Sequence, residues 1–158
     1  MTATVRPATV DDADGIGAVH LGSWKETYSG LLSPAFFTTR EESRFQANWR
    51  RQLAEGLDVV VAEVDGRVVG FARSGPSRDE PPVRPLELLT IYLLAAQHGS
   101  GLGQALLDAA VGDRPASLWV AEQNPRAISF YRRNGFTPDG APQVLTSWED
   151  LTEIRLVR

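Results

Sequence analysis

In the first part of the chain, the spacing of the hydrophobic residues changes from that of a strand to the three-to-four spacing of a helix. This pattern predicts a strand followed by two helices. Residues Thr2 to Val10 are typical of an edge strand, with Pro7 near the end of the run. Apolar side chains at three-to-four spacing then predict one helix over roughly residues 12–29 and another over about residues 40–54. Gly56 is a typical stop for the second helix.

In the middle of the chain, the residue pattern is again typical of β-strands. Residues 58–64 and 67–74 are rich in β-forming side chains, and the Asp65-Gly66 turn between them predicts a hairpin. The segment from Gly75 to Pro85 is rich in proline and charge, which predicts an exposed loop. Leu86 to Leu94 is an apolar run that predicts a buried strand.

The last third of the chain alternates strands with short helices. The predicted elements are a helix that follows the glycine-rich segment 95–103, a strand at 116–121, a helix at 125–133 closed by Asn134-Gly135, and strands at Phe136, 144–147 and 151–157. The order β, α, α, β, β, β, α, β, α, β, β predicts one domain over residues 1–158. Its fold class is α/β or α+β, with helices on the faces of a sheet.

The net charge and the distribution of apolar residues argue against nucleic acid and membranes as partners. The chain of 158 residues has a formal net charge of -4, so no global positive field attracts nucleic acid or an anionic membrane. The longest apolar stretch, Leu88 to Ala96, is too short to span a bilayer. The N-terminal residues lack the charged-then-apolar pattern of a signal peptide, so a cytoplasmic location is expected.

Several catalytic classes are excluded by missing residue types. Cysteine is absent, which removes thiol nucleophiles and thiolate metal sites. His20 and His98 lie far apart in sequence and no H-E-x-x-H segment exists, so no metal site is predicted. Lys25 is followed by Glu26, which excludes a Walker P-loop, and no serine sits in a G-x-S-x-G elbow.

The most informative segment joins the predicted buried strand to a helix through His98-Gly99-Ser100-Gly101-Leu102-Gly103. Glycines let backbone N–H groups point into one space, and the start of a helix adds unpaired N–H groups and a positive dipole end. Such a place favours a phosphate or pyrophosphate, the alternative being a turn that only connects two elements. The dinucleotide fingerprint G-x-G-x-x-G fails, because Gln104 or Leu106 occupies the last position.

This segment resembles the pyrophosphate motif R/Q-x-x-G-x-G/A of the GNAT superfamily of acyl-CoA-dependent N-acetyltransferases. His98 takes the Arg/Gln place, and Gly101 and Gly103 take the small places. The resemblance implies a mixed, mostly antiparallel sheet flanked by helices, and acetyl-CoA as co-substrate. It implies that the pantetheine arm pairs with the strand end and the pyrophosphate with the glycine loop, at Ile91, Tyr92, Leu93, His98, Gly99, Ser100, Gly101, Leu102, Gly103 and Gln104.

A second segment, LWVAEQNPRAISFYRRNGF, is similar to the family's strand–Asn–helix–Tyr–Gly-Phe signature. The resemblance makes Asn124 a contact of the cofactor, although Asn before Pro125 is also a preferred helix cap. It places Tyr131 near the sulfur of CoA as a catalytic residue, the alternative being a core aromatic. The neighbouring pair Arg132-Arg133 could reach the 3′-phosphate, although a solvated pair is the simpler interpretation.

The residues that bind and activate the acceptor are less sharply indicated. Glu87 lies in a buried strand, where a carboxylate is costly unless it is paired or faces a cleft. It is the first candidate for the general base, ahead of Glu122, and a salt bridge with an arginine is the alternative. Trp24 and Tyr28 lie four apart on one helix face, where they either line an acceptor pocket or pack in the core.

The sequence therefore predicts an N-acetyltransferase that moves an acetyl group directly from acetyl-CoA to a primary amine in a ternary complex. A non-catalytic acyl-CoA-binding or sensor module of the same fold is the alternative. The acceptor, a small molecule or a peptide amine, is left open. The apolar C-terminal strands allow pairing across a homodimer.

Overall fold

The computed structural model describes residues 2–158 and contains a seven-stranded sheet and five α-helices. The strands are β1 Ala3–Pro7, β2 Val60–Val64, β3 Arg67–Pro76, β4 Leu86–Leu93, β5 Ser117–Ala121, β6 Thr137–Leu145 and β7 Leu151–Val157. The helices are α1 Ala13–Tyr28, α2 Pro34–Thr38, α3 Glu42–Ala54, α4 Leu102–Ala110 and α5 Pro125–Arg133. None of the helices in this part of the chain is long and apolar enough to cross a membrane.

The sheet has the order β1-β2-β3-β4-β5-β7-β6, and its neighbouring strands are antiparallel except for β4 and β5. The parallel pair β4–β5 is joined through one residue pair, Glu87 with Ser117. Beyond this pair the two strands diverge: β4 continues to Leu93, but none of its later residues pairs with β5. The prediction of a mixed, mostly antiparallel sheet flanked by helices is confirmed.

Helices cover both faces of the sheet, as the alternation within β3 shows. Phe71 packs with Ile16 and Trp49 under α1 and α3. The next residue, Ala72, packs on the opposite face in a larger cluster that includes Leu106 of α4. Each face therefore has its own apolar core, and the burial of these side chains drives the layers together.

The elements that were predicted best are those whose turn or helix start is specified by two adjacent residues. Asp65 and Gly66 both have positive φ, as a two-residue hairpin turn of type I′ requires. Helix α5 has the predicted bounds, and the Asn124 side chain accepts a hydrogen bond from the Ala127 N–H at 3.3 Å. With Pro125 in the first turn, the sequence supplies both standard start signals of a helix.

The prediction differs most from the structure in three places. Strand β1 ends at Pro7, because residues 10–12 form a 3₁₀ turn instead of extending it. Helix α2 was not predicted at all, since it is only five residues long. The strand predicted at 144–147 is the end of β6, after which residues 146–148 form a 3₁₀ turn.

Candidate functional site

A cavity of about 960 Å³ opens where β4 and β5 separate. Its walls come from both strands and from helices α1, α4 and α5. The predicted site residues that line it are Trp24, Tyr28, Ile91, Tyr92, Leu93, His98, Gly99, Gly101, Gly103, Gln104, Asn124 and Tyr131. The structure thus brings segments from α1, β4, the glycine loop and α5 around one space.

Three predicted site residues lie outside this lining: Glu87, Ser100 and Leu102. Leu102 is buried in the core under α4, and its N–H donates to the Ser100 Oγ at 3.3 Å. These contacts hold the loop in place from behind. The roles predicted for Ser100 and Leu102 at the cofactor stay predictions.

The glycine loop forms a cradle of backbone groups at one end of the cavity. Gly99 and Gly101 have φ of +81° and +89°, a conformation that L side chains rarely adopt, and a Cβ at either would meet nothing within 4 Å. Within residues 2–158, no hydrogen-bond acceptor is found for the backbone N–H groups of Gly99, Gly101, Gly103 and Gln104. Unpaired N–H groups at the start of α4 fit an anionic phosphate group.

His98 lines the cavity beside the glycine loop and also contacts the end of β4. Its Nε2 lies 3.1 Å from the carbonyl oxygen of Leu93, and since that oxygen only accepts, Nε2 carries the proton and donates. The donor is therefore used to hold the end of β4. The contact of His98 with a pyrophosphate stays a prediction.

Asn124 caps helix α5 and also lines the cavity, while its contact with the cofactor stays a prediction. Its side-chain oxygen makes the capping contact. The amide nitrogen has no partner within the described part of the chain, which leaves a donor for a ligand.

Tyr131 belongs to the core and to the cavity wall at the same time. It is 8% exposed and packs against Phe136, with ring centroids 6.2 Å apart. Burial raises the pKa of the Tyr131 hydroxyl above its ordinary value, so this group stays protonated at neutral pH. A protonated hydroxyl at the cavity wall can serve as a proton donor.

Glu87 forms the ion pair that was its alternative role. The residue is 0% exposed, and its carboxylate accepts hydrogen bonds from Arg78 Nη2 at 2.6 Å, Arg78 Nε at 3.0 Å and the Arg78 N–H at 3.0 Å. In a regular strand Glu87 and Ile91 would share one face, but β4 is not regular here. A register shift leaves Leu89 as an extra residue in β4, so Leu88 and Ile91 pack on the α4 face.

Glu153 is a carboxylate in the cavity lining that sequence reasoning missed. It lies on β7 opposite Ala121 and accepts a hydrogen bond from Gln143 at 2.6 Å. Burial raises the pKa of its carboxyl and the charge of Glu87 adds to this, while Gln143 and Arg78 act in the opposite direction. A glutamate inside the strand predicted at 151–157 was the available signal.

The α1 side of the cavity has an aromatic wall. Trp24 stacks edge-on against Trp148 and His20, with ring centroids 4.4 Å and 4.8 Å apart, and Tyr28 lies 5.3 Å from Trp148. Trp24 and Tyr28 therefore pack in the protein and also line the cavity, and their contact with an acceptor stays a prediction. Trp148 was not predicted to belong to the site.

His20 is a packed, neutral histidine. Its Nδ1 accepts a hydrogen bond from the Trp49 indole at 3.0 Å, and burial lowers its pKa to about 4. His20 therefore carries no charge at neutral pH. This geometry makes His20 a packing residue and not a candidate for the general base.

The loop between β3 and β4 ties the two diverging strands together. Arg78 binds Glu87 on β4, whereas Asp79 accepts hydrogen bonds from the Trp119 indole on β5 at 2.9 Å and from Arg155 on β7 at 3.2 Å. Both Arg78 and Asp79 line the cavity. Of the other charged candidates, Glu122 is exposed and lies outside the lining.

Comparison with known proteins places this geometry in a family. Residues 55–138 match the model of the acetyltransferase (GNAT) domain. The chain is 35% identical over 135 residues to the uncharacterized N-acetyltransferase YuaI of Bacillus subtilis, covering 82% of this chain and 77% of that protein. It is 30% identical over 175 residues to the L-methionine sulfoximine/L-methionine sulfone acetyltransferase of Pseudomonas aeruginosa, covering 99% of this chain and 95% of that protein. The fold matches the putative acetyltransferase YncA of Salmonella typhimurium, solved with acetyl-CoA, at a TM-score of 0.70 and 21% identity over 100% of this chain and 94% of that chain.

Proposed function

The chain belongs to the GNAT family of acetyl-CoA-dependent N-acetyltransferases, and on that premise we propose that it transfers the acetyl group directly to a primary amine held beside acetyl-CoA. One observation carries the proposal: a single cavity is lined both by the glycine cradle and by Tyr131 and Glu153. Because the chain has no cysteine, the commonest acyl-carrying nucleophile is absent, which favours direct transfer.

The cofactor end of the cavity fits the phosphates of CoA. The backbone N–H groups of the glycine loop would hold the pyrophosphate, and the open space at Gly101 allows close approach. Arg126 and Arg133 of α5 also line the cavity and add positive charge. Acetyl-CoA supplies an acetyl group activated as a thioester.

Tyr131 is the proposed general acid. Expulsion of a thiolate requires a proton, and the reference pKa of a thiol is about 8.5, with cysteine as the proxy. The buried Tyr131 hydroxyl stays protonated at neutral pH and lies in the cavity lining, so it can donate that proton.

Glu153 is the proposed general base or ammonium-binding group. An alkyl amine has a pKa near ~10.4, so removal of its proton at pH 7 costs roughly 4 to 5 kcal/mol. Burial raises the pKa of Glu153 and so makes it a stronger acceptor of that proton. Glu87, the choice made from the sequence, lies behind Arg78 and is the second candidate.

Tyr131→Phe is expected to lower turnover by roughly ten-fold or more, because the proton for the leaving thiolate is lost. The affinity for acetyl-CoA should stay within a few-fold, since the ring keeps its packing against Phe136. Steady-state kinetics together with calorimetric titration of acetyl-CoA measure both quantities. Unchanged turnover would leave Tyr131 with a packing role alone.

The decisive test of the whole proposal uses the wild-type protein. Acetyl-CoA is titrated by calorimetry, and thiol release is measured with alkyl amines, polyamines, aminoglycosides, peptides, free L-amino acids and L-methionine sulfone, after the name of the Pseudomonas relative. We expect binding of acetyl-CoA and acetylation of at least one amine class. No heat at millimolar acetyl-CoA would refute the proposal, and binding without turnover on any amine would favour the sensor alternative.

A further inference from the structure

Trp148 belongs to the aromatic wall of the cavity, and the proposed reaction gives it no task. Its side chain is half-buried and lines the cavity. Its ring centroid lies 4.4 Å from that of Trp24, 5.1 Å from that of Phe36 and 5.3 Å from that of Tyr28. Trp24 and Tyr28 line the cavity as well, so three aromatic side chains present apolar surface to the same space.

The turn between β6 and β7 holds Trp148 in this wall. The two residues that follow it, Glu149 and Asp150, have φ of +53° and +60°, a conformation that residues other than glycine rarely adopt. The Glu149 carboxylate accepts a hydrogen bond from the Ser33 N–H at 2.9 Å, at the start of helix α2. Backbone in this conformation costs free energy and is concentrated at functional sites. The position of Trp148 is therefore fixed before a ligand binds.

Glu153 lies beside the aromatic wall, on the same face of the sheet. It is paired with Ala121 of β5, and Leu151 lies two residues before it on β7, so these three side chains point to one face. Ala121 and Leu151 pack in the cluster that contains Tyr28, and Trp148 packs against that cluster. The carboxylate of Glu153 is therefore next to the aromatic wall.

The charges around this part of the cavity are unequal. Of the two carboxylates in the lining, Asp79 is paired with an arginine of β7 at 3.2 Å, whereas Glu153 has only the amide of Gln143 as a hydrogen-bond partner within residues 2–158. Of the lining arginines, Arg78 binds Glu87 through two nitrogens, and the other two belong to α5. In this part of the chain, the charge next to the aromatic wall that lacks a counter-ion is therefore negative.

An aromatic surface next to one unpaired carboxylate is complementary to a cation with an aromatic body. We propose that the acceptor is a primary arylalkylamine, with its amine at Glu153 and its ring packed against Trp148, which makes Trp148 a specificity-determining residue. Rings form edge-to-face and offset-stacked contacts with other rings, and an aliphatic chain makes neither. A carboxylate beside the amine of the acceptor is unfavourable, because it would face the like charge of Glu153.

The inference rests on the proposed function, and a set of three amines tests it separately. 2-Phenylethylamine, hexylamine and L-phenylalanine are compared as acceptors of the wild-type protein. We expect kcat/KM for 2-phenylethylamine to exceed that for hexylamine by about 3- to 10-fold, because only the ring stacks on the aromatic wall. Phenylalanine, which adds a carboxylate to the same amine, should be a poorer acceptor than 2-phenylethylamine by at least about 10-fold.

Trp148→Leu supplies the second arm. We expect the KM for 2-phenylethylamine to rise by about 10-fold with kcat nearly unchanged, and the KM for hexylamine to change by less than about 3-fold, since leucine keeps the surface apolar. Trp148→Phe should restore part of the affinity because it restores a ring. Phe37→Leu is the matched control, since Phe37 packs against the same cluster but lies outside the cavity lining, and it should change neither KM.

The melting temperature and the affinity for acetyl-CoA separate these results from a folding defect. Trp148→Leu and Phe37→Leu both remove aromatic packing, so both should melt below the wild type, while acetyl-CoA binding stays within a few-fold. If Trp148→Leu does not fold, a KM for 2-phenylethylamine that rises in Trp148→Phe while that for hexylamine does not supports the same conclusion.

Two results would overturn the inference while acetyl transfer itself remains. One is transfer to amines with no preference of the wild type for 2-phenylethylamine over hexylamine or phenylalanine. The other is an equal change of both KM values in the Trp148 variants. Absence of transfer to every amine despite binding of acetyl-CoA would instead refute the proposed function on which the inference rests.

Discussion

Replacement of Gly101 by valine is expected to weaken acetyl-CoA binding by about 100-fold or more. Gly101 has φ +89° with open space where a side chain would project, and the N–H groups of Gly99, Gly101 and Gly103 have no acceptor within residues 2–158. A valine side chain would fill the place where the pyrophosphate must approach the backbone. A valine held at this positive φ also costs on the order of 1–3 kcal/mol of folding free energy. Calorimetric titration of acetyl-CoA measures the loss of affinity, and thermal unfolding measures the strain.

Gly140→Val is the matched control for this experiment. Gly140 also has φ +89° and also has nothing within 4 Å of its Cβ position, but it lies in β6 and is exposed. The two variants should therefore lose similar amounts of stability, while only Gly101→Val should lose acetyl-CoA binding. If both variants bound acetyl-CoA as wild type does, the glycine loop would be only a connection between strand and helix.

Glu153→Gln is expected to lower turnover by about 100-fold at pH 7, the lower part of the range for general acid–base catalysis. The deficit should be greatest below pH 8 and should shrink as the pH rises, because free amine becomes abundant and needs no base. In the wild type, activity should decline as the pH falls through the raised pKa of Glu153, since protonation removes the base. A pH–rate profile of both proteins measures these effects.

Glu122→Gln and Glu87→Gln complete the comparison. Glu122 is exposed outside the cavity lining, so its variant should match the wild type. Glu87→Gln should lower the melting temperature, because it breaks the contacts with Arg78. A wild-type profile shape in Glu87→Gln together with a flattened acid limb in Glu153→Gln supports Glu153 as the base. The reverse pattern would return that role to Glu87.

The elements that the sequence predicted well are those specified by residues close together in the chain. Helix α5 has its cap and its first-turn proline side by side, and the hairpin turn needs only Asp65-Gly66. The glycine loop likewise contains in one run the strand end, the positive φ values and the start of α4. The cofactor end of the site was therefore predictable.

The part of the cavity around Glu153 and the aromatic wall was harder to predict because it depends on contacts between distant segments. The face on which Glu87 lies is set by a register shift between β3 and β4, which periodicity within one strand does not reveal. Glu153 reaches the cavity because β7 pairs with β5, and Trp148 joins the aromatic wall from the segment before it. Strand β6 was hidden by its prolines and glycine, which an edge strand tolerates.

Strands β4 and β5 are joined by a single residue pair, so the sheet consists of two parts, β1–β4 and β5–β7, with little hydrogen bonding between them. Their remaining coupling comes from the packing under α4 and from the loop that carries Arg78 and Asp79. A ligand that contacts both β4 and β5 therefore links the two parts of the sheet. We expect its binding to slow the exchange of amide hydrogens on both sides, and in strands that the ligand does not touch, because opening one unit then requires release of the ligand.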